Sequence, residues 1–317
     1  MRRFPFVIAL LLLLAACTGA PDATSTTAGE AATTTTPGGG SSTPGIPDET
    51  TTTIAPELAE TLLEVEALIP VTEELRGLDF LEPPSIVVVT DEQLEQRVRE
   101  LFEEELEPDE IARDQAVYRL LGIIEEDTDL AELLIDVYGG SVGGYYDLDT
   151  KEMVVKGSPD GLTVNERVIV VHELNHALTD QHFGSGDASQ VLIDEERYDE
   201  FSAYSAVVEG DSTRVESEYI QQLTAAEIRE LVAAYDDYDS SAFDAAPYFI
   251  QEFLVAPYID GFEFLLDLDG TNTTADAAYQ SPPISTEQVL DPDKYREGDD
   301  PIELVIGGAV PDGYENG

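Results

Sequence analysis

Residues 163–183 read TVNERVIVVHELNHALTDQHF, and all three histidines of the 317-residue chain, His172, His176 and His182, lie within them. The apolar residues Val168, Ile169, Val170, Val171, Leu174, Ala177 and Leu178 surround the first two and predict a helix buried on most of its faces. Four residues along a helix are a rotation of about 400° and a rise of about 6 Å, so His172 and His176 project side by side from one face. Two imidazole nitrogens placed in this way hold one zinc. Glu173, one step round the helix, is near enough to take a proton from a water whose pKa the metal has lowered towards about 7. Burying two histidines and an acid in such an apolar setting is costly unless each polar group has a partner, and a metal supplies that partner. The H-E-x-x-H spacing thus predicts His172 and His176 as Zn2+ ligands and Glu173 as the catalytic base of a peptide-hydrolysing centre.

A catalytic zinc takes three protein ligands and leaves a position for water. His182 has the sequence spacing of the third histidine in metzincins, but the glycine that would turn the chain back is replaced by Thr179, and no methionine follows Met153 to form their downstream turn. On an unbroken helix His182 lies about 9 Å beyond His176 and about 120° off its face. The alternative is a glutamate from a later helix. Residues 194–222 supply that helix, kept slim by Ser202, Ala203, Ser205, Ala206, Gly210 and Ser212 so that its backbone is expected to approach the histidine helix closely. Glu209, among these small residues, is the preferred third ligand, with Glu200 and His182 as rivals. Asp211 is expected to orient a ligand histidine from behind. Tyr258, Tyr146 or Tyr204 is expected to donate a hydrogen bond to the oxyanion of peptide hydrolysis.

Upstream, residues 1–16 carry two arginines and a short apolar run, the pattern of a secretory signal peptide. It ends Leu14-Ala15-Ala16-Cys17, which resembles the lipobox of bacterial lipoproteins, and Cys17 is the single cysteine of the chain. Lipidation at Cys17 and anchoring to the cell membrane, outside the cytoplasm, are the expected consequence. Residues 17–53, almost all Thr, Ser, Pro, Gly and Ala, have the composition of a disordered tether. The chain holds 67 acidic and 15 basic residues, a formal charge of −52, which disfavours nucleic acid as a partner and describes a strongly acidic, solvated surface.

Residues 54–140 read as a helical N-terminal part interrupted by a short strand at Ile86–Val89, with Asp91 expected to cap the helix that follows. Residues 142–156, VGGYYDLDTKEMVVK, alternate into a hairpin that would border the cleft. The stretch 243–268 reads as one or two buried helices broken near Pro257.

Together, VGGYYD, HELNHALTDQHF, VVEGDS and PPISTEQVLDPDKY resemble a family of bacterial secreted or lipoprotein zincin-like proteins related to gluzincin metallopeptidases. The likeness spans roughly residues 135–300, with Asp291-Pro292 standing where that family commonly has His-Pro. The resemblance implies His172, His176 and Glu209 as ligands and Glu173 as base. The expectation is therefore an α+β, mostly α, zincin-like metallopeptidase, with residues 141–317 as the catalytic part, acting on a peptide or protein substrate. The competing expectation is a non-catalytic surface lipoprotein that keeps a structural zinc site or binds peptide or cell-wall ligands.

Overall fold

The computed structural model describes residues 58–105, 108–139 and 143–302. The expected signal peptide, Cys17 and the tether lie outside the described residues. In chain order the elements are α1 (Ala59–Arg76), β1 (Ser85–Val89), α2 (Asp91–Glu105), α3 (Pro108–Leu121), α4 (Leu130–Gly139), β2 (Gly144–Asp147), β3 (Glu152–Lys156), α5 (Val164–Phe183), α6 (Ser185–Asp194), α7 (Tyr198–Ile220), α8 (Ala225–Asp236), α9 (Ser241–Ala245), α10 (Tyr248–Asp267), α11 (Asn272–Gln280), α12 (Thr286–Leu290) and α13 (Pro292–Glu297). The architecture is α+β and mostly helical, with a small sheet, as the patterning predicts.

Helix α5 is the centre of the molecule. Thr163 and Glu166 form a capping box at its start, each side chain accepting from the other's backbone N–H, and Gly184 ends it in the left-handed conformation at φ 64°. It does not break at Thr179, whose hydroxyl donates back to the Asn175 carbonyl at 2.8 Å. The helix is buried on most sides because the sheet, α1, α7 and α8 all pack against it.

The sheet has the order β1-β3-β2, with β1 parallel and β2 antiparallel to β3. Its side chains alternate between two cores, as the pleat requires. Tyr146, Met153 and Val155 face the helix layer containing Val168, Val171 and Leu174 of α5, whereas Tyr145 and Val154 face Leu94, Leu130 and Leu254 on the other side. Because β1 pairs with β3 and α1 packs on α5, the segments on either side of residue 140 share one core.

Three local expectations are corrected. Thr90, not Asp91, caps α2: its hydroxyl accepts from the Gln93 N–H, and the Gln93 side chain accepts from the Thr90 N–H. The chain stays helical through Pro257, which lies inside α10. A proline removes one helical hydrogen bond, and the buried face of α10, with Ile250, Leu254, Tyr258, Phe264 and Leu265, holds the helix together across that gap. The small residues of α7 serve two neighbours rather than one. A Cβ on Gly210 would come 2.2 Å from the Gly261 carbonyl carbon, and one on Gly261 would come 1.9 Å from the Ala206 oxygen, so α7 and α10 cross backbone against backbone. Only the Ser212 side of α7 is turned to the histidine helix. Among the described residues no helix is long and apolar enough to cross a membrane.

Candidate metal centre

Helices α5 and α7 run antiparallel, which brings His172 opposite Glu216 and His176 opposite Ser212. Glu209 reaches between the two histidines. Its Oε2 lies 3.2 Å from His172 Nε2 and 3.3 Å from His176 Nε2, while the two rings stand edge to face with centroids 4.6 Å apart. One ligand atom from each of His172, His176 and Glu209 falls within 4.8 Å of the others. All are buried, at 1%, 5% and 3% exposure, as is Glu173 at 1%.

Whether these residues suit a metal is decided by their unmet chemistry. His176 Nε2 is buried and makes no hydrogen bond, although Glu209 Oε2 lies 3.3 Å away. Nitrogen, nitrogen and carboxylate oxygen, all pointing at one spot inside the protein, form a donor set that can hold a metal ion.

The remaining nitrogens are held from behind. His172 Nδ1 stands 3.2 Å from Glu216 Oε2, an acceptor that would hold the ring proton on Nδ1 and leave Nε2 for a ligand bond once a metal displaced the second proton. His176 Nδ1 stands 3.2 Å from Ser212 Oγ, which also accepts from Asn175 Nδ2 at 3.0 Å. Burial works to lower the His172 pKa, but Glu209 and Glu216 on its two nitrogens outweigh it and raise the value to about 10. Burial likewise works to raise Glu209, yet the two imidazoles hold it below the ordinary carboxylate value. The same negative surroundings that favour a proton on His172 favour a metal cation.

Glu173 follows His172 on the helix, with Oε2 accepting the Tyr146 N–H at 2.9 Å. Burial pushes its pKa up to about 7 against the pull of His176 and His172, with Glu209 adding to the rise. The N–H that fixes it belongs to β2, one of the two edge strands, so the carboxylate is registered on the sheet.

The other expected residues are elsewhere. Glu200 is paired with Arg197 on the surface. His182 Nε2 lies 2.8 Å from the Asp79 carbonyl oxygen, and neither residue joins the group of three. Asp211 is not behind a histidine. Two positions beyond Glu209 is about 200° round the helix, and Asp211 instead takes Arg76 Nε at 2.8 Å and Arg214 at 2.8 Å. Of the three tyrosines, Tyr258 stacks on His172 with ring centroids 5.9 Å apart. The Tyr146 hydroxyl donates to Asp180 Oδ2 at 2.9 Å, and Tyr204 packs edge-on to Tyr279. The residues that sequence reasoning missed, Ser212 and Glu216, follow Glu209 at three and seven positions, the spacing of one helix face. That spacing puts them on the Glu209 face but does not say what the face meets. No family model, curated protein or solved structure matches the chain.

Proposed function

We propose that the chain is a zinc metallopeptidase with a zincin-like, gluzincin-type centre, held by a lipid on Cys17 at the outer face of a bacterial membrane. The observation that carries this reading is the convergence of His172, His176 and Glu209 beside the buried carboxylate of Glu173. Two imidazoles and one carboxylate with a fourth position left over are the donor set of hydrolytic zinc. Bound there, zinc supplies Lewis acidity, which polarises a peptide carbonyl and lowers the pKa of water to about 7.

The chain's own residues do the rest. Glu173 accepts the proton of the attacking water and passes it to the leaving amine, and the Tyr146 N–H keeps its carboxylate in place for both transfers. Glu216 holds His172 in the tautomer that leaves Nε2 free to bind, and Ser212 does the same for His176. Tyr258, against His172, is the best placed of the three tyrosines to meet a developing oxyanion.

The burial of all four central residues favours a second reading, a structural metal site in a non-catalytic surface protein. Glu173→Gln separates the two. The peptidase reading predicts full zinc occupancy with turnover of a peptide library reduced by about 10²- to 10⁴-fold, the usual contribution of a general base. Equal turnover by both proteins removes Glu173 as the base, and absence of turnover in the wild type leaves the structural site.

A further inference from the structure

Helices α7, α10 and α12 line a cavity of about 320 Å³, and none of its lining residues belongs to the metal centre. Each helix gives it one face, with Phe201 and Ser205 from α7, Phe253, Ala256 and Asp260 from α10, and Val289 from α12. Close-packed interiors leave few voids of this size, and it falls at the lower end of ligand-site volumes, about 300–1,000 Å³. The crossing of α7 and α10, backbone against backbone at Gly210 and Gly261, holds two of the walls rigidly together.

The walls are mainly apolar, and Asp260 is the one charged residue in them. Among the described residues no hydrogen bond or ion pair reaches its carboxylate. Burial first, then the like charges of Glu263 and Glu252, raise its pKa. A half-buried carboxylate without a partner is costly, and a cation beside it offsets that cost. The apolar end lies two helical turns away, about 10 Å along α10, at Phe253. There Phe249 and Phe253 stack with centroids 6.3 Å apart and are 44% and 46% exposed, which makes an aromatic mouth. One end of the cavity thus calls for positive charge and the rest for hydrocarbon.

We propose that this cavity binds a small organic ammonium ion, an alkylamine or arylalkylamine, with its ammonium group on Asp260 and its apolar body between Phe201, Phe253 and Val289. At about 30 Å³ for each water-sized unit, the cavity holds a ligand of about ten non-hydrogen atoms. A metal cation needs several oxygen donors, and the walls offer a single carboxylate. A neutral ligand would bury that carboxylate further and leave it unpaired, whereas an ammonium donates directly to it. The site goes beyond the peptidase reading and does not depend on it.

The test is calorimetric titration of the full chain with octylammonium, beside octanol and octanoate, which keep the body and change the head, and butylammonium, which keeps the head and shortens the body to the length of a lysine side chain. Octylammonium is expected to bind at one site, about 10- to 100-fold tighter than octanol, the range of a hydrogen bond to a charged group, with octanoate weakest. Butylammonium is expected to bind about 100-fold more weakly, because it buries four fewer methylenes. Asp260→Asn brings octylammonium down to the level of octanol. Ala256→Phe fills the cavity and removes binding of both, while the far-ultraviolet circular dichroism stays unchanged; Phe253→Ala, at the exposed mouth, weakens both several-fold and serves if Ala256→Phe does not fold. Absence of octylammonium binding, or octanol bound as tightly as octylammonium, overturns the proposal. So does octylammonium binding unmoved by Asp260→Asn, which would place the cation on the acidic surface at large, and butylammonium bound as tightly as octylammonium, which would point to a lysine side chain of a protein partner.

Discussion

Helix α7 carries two buried charged clusters built in opposite ways. On one face Asp211 sits between Arg76 and Arg214, with the more exposed Asp276 on Arg76 and Glu218 on Arg214, so two guanidiniums meet three carboxylates. On the other, Glu209 and Glu216 face His172 and His176 with Glu173 alongside, so three carboxylates meet two imidazoles. In the first every carboxylate is paired with a guanidinium, a permanent cation. In the second the cations are titratable imidazoles, so the carboxylates outweigh them whenever the histidines are neutral. Burying unbalanced charge is expensive, so the first cluster reads as a lock between α1, α7 and α11, and the second as a socket for a cation from outside.

The largest effect should come from breaking the lock. Arg76 is fully buried, and Arg76→Ala strips a guanidinium from Asp211; the expected loss of stability is about 3–5 kcal/mol, read from urea unfolding, with zinc stoichiometry of the folded fraction unchanged. Folded protein that has lost its zinc would show that the two clusters act as one. A smaller effect is expected in the socket. Glu216→Gln removes the charge behind His172 and should weaken zinc binding about 10- to 100-fold in a competition titration with a chromogenic chelator. Unchanged affinity would mean that this carboxylate does not tune the ligand. The smallest effect belongs to His182→Ala, which loses one hydrogen-bonding contact to the Asp79 carbonyl, worth about 0.5–1.5 kcal/mol, and should leave zinc affinity untouched. Zinc lost in this variant would restore the rival ligand.

The two clusters also differ in how visible they are from sequence. The His172/Glu173/His176 constellation is local, since helix geometry alone places these side chains relative to one another. Glu209 is legible because a third ligand is required and a helix with small residues follows. Glu216 and Ser212 are not, because their role depends on the antiparallel register of α5 and α7, which no local pattern states. The lock is hidden altogether: Arg76 and Asp211 are 135 positions apart, and an arginine ending a helix reads as ordinary surface charge. Asp211 was misplaced for a geometric reason, since residues two apart on a helix point to opposite sides. Strand and hairpin positions were readable from alternation, but the parallel pairing of β1 with β3 was not, because it joins segments far apart in the chain.

The socket is the central claim, and metal analysis tests it most directly. The protein is purified without chelator and its metal is measured by mass spectrometry beside Glu209→Ala. The account predicts about one zinc per wild-type chain and binding weakened at least 10-fold in the variant, because losing a direct ligand costs no less than losing a group behind one. Wild-type protein that binds no zinc even when it is supplied at neutral pH would contradict the account, as would a variant that holds zinc as tightly as the wild type.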